Sequence, residues 1–285
     1  MKDIFEQIKE YKNLYPQLGH ASNILKKYEV GEKLDKLTLI SDQYIKYLEG
    51  NIQLVGYTDA IIKKRVKLLN AYYNFIHFNQ FDNLFTSQGK FRPTILEEFL
   101  YLLFKDYVTD YQTKFNAEEY LESGSVKAYS NLFIKASSFE QFVKDPDISV
   151  NEKDQDFAIF RKIDLLVNGD KTINLQVPAV AIEAKTFIDK TMLDGIIAAA
   201  EKVKSGNPHS LFVSVTETYD VSFNVDPAYS RIDEIYVLRK TTRKAPWADI
   251  AEDAVLELFN DIKTHLERPW SNVQEKMTKK GRIIK

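Results

Sequence analysis

The sequence predicts a mixed α+β fold, in which a helical N-terminal domain precedes a domain built on a central mixed β-sheet flanked by helices. Apolar residues recur at helical spacing up to about residue 85, strand-like runs follow from about residue 130, and one helix-like segment separates those runs. At 285 residues the chain can form two unequal domains. We therefore expect a domain over residues 1–88 and a second over residues 89–285.

The N-terminal region has the apolar periodicity of three to five helices. Ile4, Ile8 and Tyr11 form one such stripe, and similar stripes continue to Tyr73. The polar stretch 86–93 then interrupts the pattern with a glycine and a proline. This stretch is the predicted domain boundary.

The second domain begins with a helix and continues with strands. Thr94 can cap a helix, with Glu97 three positions later. The predicted strands then cover residues 130–135, 157–167, 177–186, 210–215 and 234–238, and the predicted helices cover residues 191–203 and 247–266. Asn168-Gly169 between the second and third strands indicates a hairpin, and the strand, helix, strand order after it indicates a crossover.

Composition excludes several classes of site and partner. Zero cysteines exclude disulfides, thiolate zinc sites and cysteine nucleophiles, so any metal must be held mainly by oxygen. A net charge of −2 gives no global attraction to nucleic acid. No apolar run is long enough to span a membrane, and the N-terminus lacks a secretory signal, so we expect a cytoplasmic protein without a membrane partner.

Two carboxylates and an amine are candidates for one site. Strand alternation places Glu183 and Lys185 on one face, and antiparallel pairing across the Asn168-Gly169 turn is expected to bring Asp164 near Glu183. Neighbouring carboxylates repel unless a cation offsets their charge. Mg²⁺ suits such oxygen ligands, and Lys185 would orient the attacking water.

This arrangement, in which Glu183-Ala-Lys185 begins 19 positions after Asp164, resembles the PD-(D/E)XK nuclease superfamily over residues 94–240. More narrowly, the chain resembles a subunit of the BbvCI-type heterodimeric restriction endonucleases. The resemblance implies a type II enzyme that cuts one strand of duplex DNA at a short asymmetric site and works with a second nuclease subunit. In isolation such a subunit can also form a homodimer. Ile163 stands where the superfamily name has proline.

The same resemblance implies the roles of the site residues. Asp164 and Glu183 would bind Mg²⁺, with the Ala184 carbonyl as a further ligand, and Lys185 would act on the nucleophile. Many members of the superfamily add an acidic residue from the first helix, for which Glu98 is preferred to Glu97.

DNA contacts are predicted from two loops that contain basic and polar residues. They are residues 86–92, with Lys90 and Arg92, and residues 217–231, with Tyr229 and Arg231. The basic run Arg239 to Lys244 is another candidate for phosphate contacts. Charge runs of this kind more often solvate a surface.

Each candidate also has a structural explanation. Glu-x-Lys occurs again at Glu10 and Lys12 in a predicted helix, and an alternating charge pattern on an edge strand discourages aggregation. Asp164 can belong to a turn, with Asp154 and Asp156 as second choices in a segment of loop-like sequence.

Three other functions stay open at the level of sequence. They are a repair or junction-cleaving nuclease of the same fold, a non-catalytic DNA-binding subunit, and a scaffold protein. Sequence-specific fragments from a plasmid digest would separate a restriction enzyme from the first. DNA binding that does not need Asp164 or Lys185 would indicate the second, and the absence of salt-dependent affinity for DNA would indicate the third.

Overall fold

The N-terminal part of the chain is helical, as the apolar spacing predicts. The structure is a computed structural model that describes residues 3–85, 91–167, 169, 171–270, 272–281 and 283. Its first four helices are α1 (Ile4–Leu14), α2 (Gly19–Glu29), α3 (Leu34–Gln53) and α4 (Asp59–Phe78). Residues 86–90 of the predicted domain boundary, with Lys90, lie outside the described residues, so the division at residue 88 stays a prediction.

Helix α5 (Pro93–Phe115) joins the helical part to the sheet. It begins with Pro93 in its first turn, where the missing N–H is not needed. Its buried residues lie between Thr94 and Val108 and include leucines and phenylalanines on several sides of the helix, which is expected where a helix is covered all round. The ring centroids of Phe104 on α5 and Phe157 in the sheet are 5.7 Å apart. One hydrophobic core therefore extends from the N-terminal helices across α5 to the sheet.

The described residues form a five-stranded mixed sheet with the strands in chain order. Its strands are β1 (Leu121–Lys135), β2 (Asp147–Val167), β3 (Lys171–Ile188), β4 (Leu211–Tyr219) and β5 (Glu234–Val237). β1, β2 and β3 are antiparallel neighbours, whereas β3, β4 and β5 are parallel. This confirms the predicted mixed sheet flanked by helices.

Four further α-helices follow in the described residues. They are α6 (Phe139–Lys144), α7 (Lys190–Gly206), α8 (Glu252–Glu267) and α9 (Val273–Lys280). Two of them, α7 and α8, pack against the sheet. Helix α7 forms the predicted crossover between β3 and β4, with Asp189 as its N-cap. None of the helices in the described ranges has the length and apolar character needed to cross a membrane.

The sheet divides at the centre of the β2–β3 pair. The ladder between these strands ends where Phe157 pairs with Ile182. Before Phe157, β2 continues along β1, and after Ile182, β3 continues along β4. The two strands therefore separate into a fork, at which side chains from both can meet without being covered by the ladder.

Strand β2 is longer than the sequence predicts. Residues 147–156 belong to it although they are mostly polar, because they form one arm of the fork and pair with β1. The alternation of apolar and polar residues that identifies a half-buried strand is missing from this arm. Its loop-like sequence therefore conceals a strand.

Candidate active site

Glu183 and Lys185 lie on β3 just past the fork. The preceding and intervening residues Val180, Ile182 and Ala184 are buried in the main hydrophobic core and fix this part of the strand. Strand alternation then turns Glu183 and Lys185 away from that core. The Glu183 side chain is 8% exposed and that of Lys185 is 29% exposed, so both are partly shielded from water.

Asp156 faces Glu183 across the fork. It precedes Phe157, whose partner is Ile182, so the next position along each strand holds a carboxylate. Asp156 Oδ2 accepts a hydrogen bond from the backbone N–H of Ala184 at 2.9 Å. The Asp156 side chain thus continues the connection between the strands where the backbone ladder has ended.

The Lys185 ammonium group lies among oxygens from both strands. Lys185 Nζ is 2.8 Å from Asp156 Oδ2, 2.8 Å from Glu183 Oε2 and 3.1 Å from the Ala184 carbonyl oxygen. Two carboxylates and a carbonyl therefore converge on one cationic nitrogen. Oxygens of this kind are the ligands that Mg²⁺ takes from proteins.

The donor set fits a hard divalent cation with few protein ligands. Within the described ranges no three His, Cys, Asp or Glu side chains form a ligand group. Asp156, Glu183 and the Ala184 carbonyl are consistent with this, because they supply two side-chain ligands and one backbone ligand. Mg²⁺ usually binds through one or two carboxylates and keeps several waters.

The charge state of Lys185 follows from its surroundings. Burial by itself would lower the pKa of Lys185, but the carboxylates of Asp156 and Glu183 outweigh burial and raise it above its ordinary value. The side chain is therefore an ammonium ion at neutral pH. In this state it donates hydrogen bonds and offsets negative charge, and it cannot accept a proton.

A second lysine contacts the same glutamate. Lys153, three residues before Asp156 on β2, has its Nζ 3.5 Å from Glu183 Oε1. The Glu183 carboxylate thus has one ammonium group on each oxygen. The motif pattern did not single out Lys153, because its segment resembles a loop in sequence.

The expected meeting of Asp164 with Glu183 is wrong. Asp164 pairs with Asn174, whose Nδ2 donates a hydrogen bond to Asp164 Oδ1 at 2.5 Å, and its side chain is exposed. It lies eight residues along β2 from Asp156, or roughly 25 Å at the rise of an extended strand. Asp156, and not Asp164, shares the Lys185 ammonium group with Glu183.

The hairpin itself contained the signal for Asp156. With Val167 paired to Lys171, paired positions lie at equal distances on either side of the turn. Counting outward to Glu183 leads to the segment around Asp156, which is much farther from the turn than Asp164. A bulge between Ile159 and Phe160, opposite Pro178, then adjusts the register by one residue.

Glu98 does not join this cluster. Its carboxylate accepts hydrogen bonds from the backbone N–H groups of His20 and Ala21 and from the Tyr44 hydroxyl, at 2.9, 3.1 and 2.9 Å. His20 and Ala21 are in the first turn of α2, so Glu98 satisfies the N-terminus of that helix from α5. Burial raises the pKa of Glu98 to about 7. These contacts give Glu98 a structural role among the helices.

The predicted DNA contacts have different environments. Arg92 is held by ion pairs with Asp82 and Glu217, and its side chain is 20% exposed, so it is not a free contact for DNA. Tyr229 is 68% exposed, and Arg231 is exposed beside Glu201 at 3.1 Å. The latter two stay predictions.

Comparison with known proteins supports a single family. No curated protein matches the sequence. Among solved structures, a chain of the native BbvCI A2B2 tetramer at low resolution matches with a TM-score of 0.68 and 23% identity, covering 88% of this chain and 95% of that one. This match shows a shared fold. The model of the Bpu10I restriction endonuclease family matches residues 88–251, which include α5, all five strands and the fork between β2 and β3. The chain therefore belongs to the Bpu10I restriction endonuclease family.

Proposed function

We propose that the chain is a type II restriction endonuclease subunit that hydrolyses one strand of duplex DNA at a short asymmetric site in the presence of Mg²⁺. Asp156, Glu183 and Lys185 form the proposed catalytic centre. The observation that carries this proposal is the convergence of the Asp156 and Glu183 carboxylates on the Lys185 ammonium at 2.8 Å each. Membership of a restriction endonuclease family supports the choice of DNA as the substrate.

Three oxygen donors would hold the metal ion. They are the carboxylates of Asp156 and Glu183 and the carbonyl of Ala184, which already surround a positive charge. When bound, Mg²⁺ activates a water molecule and offsets charge on the phosphate. The buried position of Glu183 and the hydrogen bond from the Ala184 N–H to Asp156 keep both carboxylates oriented before DNA arrives.

Lys185 would act as a hydrogen-bond donor at the reacting phosphate. Its ammonium group can donate three hydrogen bonds and carries a full charge close to both carboxylates. Donors that are already oriented toward developing negative charge stabilise the transition state of phosphoryl transfer. Lys153, on the other side of Glu183, adds a second positive charge to the same region.

A partner subunit follows from the number of centres. One catalytic centre cuts one strand, so cutting both strands of a duplex requires a second centre from another chain. The structurally similar BbvCI protein is an A2B2 tetramer, which supports a second nuclease subunit as the partner of this chain. A homodimer of this chain is the alternative when the partner is absent.

The test is cleavage of supercoiled plasmid by the purified chain, with and without a related partner subunit, in Mg²⁺. The Lys185→Ala variant should nick or linearise plasmid at least about a hundredfold more slowly than the wild type. Lys162→Ala is the matched control, because Lys162 is also a lysine on the sheet in an ion pair, with Glu122 at 2.5 Å. This control should cut like the wild type.

The alternatives give different results in the same assay. Fragments without a defined end sequence indicate a nuclease of another specificity. If the wild type binds duplex DNA but never cuts it with any partner, the chain is a non-catalytic DNA-binding subunit. If Lys185→Ala cuts at the wild-type rate, the proposed centre is wrong.

A further inference from the structure

The segment after β5 is held rigidly by a buried ion cluster. Arg239 Nε and Nη2 both lie 2.8 Å from Glu217 Oε2, and Arg92 Nη2 lies 2.7 Å from the same oxygen. Glu217 is at the end of β4 and is 1% exposed. Removing charges from water is costly, so such a cluster contributes little net stability. Its contacts join Arg92 and Arg239 to the end of β4.

The far end of this segment is fixed by aromatic stacking. The Trp247 ring lies 3.8 Å from the Arg239 guanidinium and 3.9 Å from the His77 ring, which is parallel to it within 5°. The indole N–H donates a hydrogen bond to Asn74 at 2.6 Å. Residues 239–247 are thus tied at both ends, to the sheet and to α4.

The apex of the segment presents an arginine beside the catalytic strand. The Arg243 guanidinium lies 4.0 Å from the centre of the Phe187 ring, and Phe187 is two residues after Lys185 on β3. The Arg243 backbone N–H donates a hydrogen bond to Asp220 Oδ1 at 3.1 Å, while Nε is 3.8 Å from Asp220 Oδ2. The Arg243 side chain is still 56% exposed.

The position of the Arg243 guanidinium suits the binding of a phosphate group. A guanidinium stacked on an aromatic ring keeps its N–H edges available for the oxygens of a phosphate, and the stacking limits the entropy lost on binding. Below the apex is a cavity of about 440 Å³ at the ends of the three parallel strands, and its lining includes the hydroxyl side chains of Thr186, Thr218 and Thr242. The hydroxyls of Thr186 and Thr242 can donate to further phosphate or sugar oxygens, whereas that of Thr218 donates to the Thr186 carbonyl oxygen.

We propose that Arg243, held on Phe187 by the Arg239–Glu217–Trp247 support, binds a phosphate of the DNA backbone next to the one that is cut. This inference rests on the proposed function, because it uses the position of Lys185 as the site of cleavage. It also explains the buried ion cluster around Glu217, which has no role in the proposed catalysis at Asp156 and Glu183. The support positions Arg243, and Arg243 contacts the DNA.

The first test measures affinity for a fluorescein-labelled duplex oligonucleotide by anisotropy over a range of NaCl concentrations, with Ca²⁺ in place of Mg²⁺. Arg243→Ala should weaken binding several-fold and reduce the slope of log K against log salt by about one, the value for one lost phosphate contact. Arg243→Lys should keep the slope because it keeps the charge. Arg161→Ala is the matched control, since Arg161 is also exposed and stacked on an aromatic ring, Tyr120 at 4.5 Å.

The second test locates the phosphate. Once the cut position is mapped, uncharged methylphosphonate linkages are placed one at a time around it in the cut strand. At one linkage adjacent to the cut, substitution should weaken binding by the wild type but not by Arg243→Ala, because the partner of that phosphate is already missing.

The outcomes separate this inference from the proposed function. The phosphate contact is overturned if Arg243→Ala has the salt slope of the wild type. It is also overturned if, at every linkage, the methylphosphonate weakens binding by Arg243→Ala as much as it weakens binding by the wild type. A wild type that cuts DNA while Arg243→Ala behaves like Arg161→Ala leaves the nuclease intact and refutes the inference alone. A wild type that shows no affinity for duplex DNA refutes both. Thermal unfolding of each variant identifies any loss that is due to misfolding.

Discussion

Two buried glutamates in this chain, Glu98 among the helices and Glu183 in the sheet, differ in what satisfies their carboxylates. Glu98 is 1% exposed and Glu183 is 6% exposed. Glu98 accepts hydrogen bonds from two backbone N–H groups and a tyrosine hydroxyl, none of which carries a formal charge. Glu183 instead has an ammonium group on each oxygen, from Lys185 and Lys153.

The difference suggests a criterion for separating a carboxylate that serves the fold from one that is available to a metal ion. Donors that belong to the backbone of α2 cannot leave without unfolding the helix, so Glu98 is committed to the fold. Lysine side chains can move, so the oxygens of Glu183 can exchange one cation for another. A buried carboxylate whose partners are mobile cations is the better candidate for a metal ligand.

The largest expected effect compares Asp156→Asn with Asp164→Asn. Asp156→Asn should reduce plasmid cleavage by about a hundredfold or more, because it removes a charge from the proposed ligand set. Asp164→Asn should cut within a few-fold of the wild type, since Asp164 is exposed and bonded to Asn174. Rates are measured under single-turnover conditions with saturating enzyme. Equal losses in both variants would contradict the site described here.

The next effect concerns stability and pH at Glu98. Burial raises the pKa of Glu98 to about 7 from its ordinary value of 4.5, so between these pH values the folded chain binds more protons than the unfolded chain. Stability should therefore fall as pH rises through this window, by up to roughly 3 kcal/mol, and then level off. Urea unfolding at several pH values measures this. Glu98→Gln should remove the slope that comes from this group.

The same position also tests the contrast with Glu183. Glu98→Gln keeps an acceptor for the N–H groups of α2, so it should fold and cut DNA at close to the wild-type rate. Glu98→Ala leaves those groups and the Tyr44 hydroxyl without an acceptor and should lose about 2 to 4 kcal/mol of stability. Glu183→Gln should fold well and cut poorly. A folded Glu98→Gln variant without cleavage would mean that Glu98 acts in the reaction.

Most of the fold follows from local periodicity in the sequence. The helices up to α5, the β2–β3 hairpin and the β3–α7–β4 crossover have apolar spacing that matches their packing. Helix α6 and residues 147–156 of β2 were missed. Helix α6 is largely exposed, and residues 147–156 are mostly polar and only partly buried, so neither segment has an apolar period to detect.

The candidate site followed from the sequence only in part. Glu183 and Lys185 stand out because two charges interrupt a buried apolar strand. Asp156 does not, since it lies in a polar segment, and its position depends on a register that runs from the turn to the fork. Glu98 was expected in the site and lies outside it. The sequence of α5 gives no sign that the carboxylate of Glu98 accepts hydrogen bonds from the N-terminus of α2. Long-range partners decide both cases.

The smallest expected effect is at Lys153, and it separates electrostatics from structural support of Glu183. Lys153 Nζ is 3.5 Å from Glu183 Oε1, so Lys153→Ala removes a positive charge beside the proposed metal ligand. Calcium affinity, measured by calorimetry without DNA, should rise by about threefold to tenfold, since the repulsion between the two cations is lost and solvent screens part of it. Lys127→Ala, which changes an exposed lysine on the neighbouring strand β1, should change this affinity little.

The DNA cleavage rate of Lys153→Ala should fall by about tenfold, because the phosphate loses a nearby positive charge. A fall in both calcium affinity and cleavage would instead mean that Lys153 holds Glu183 in position, which would make the partners of Glu183 as much a part of the fold as those of Glu98.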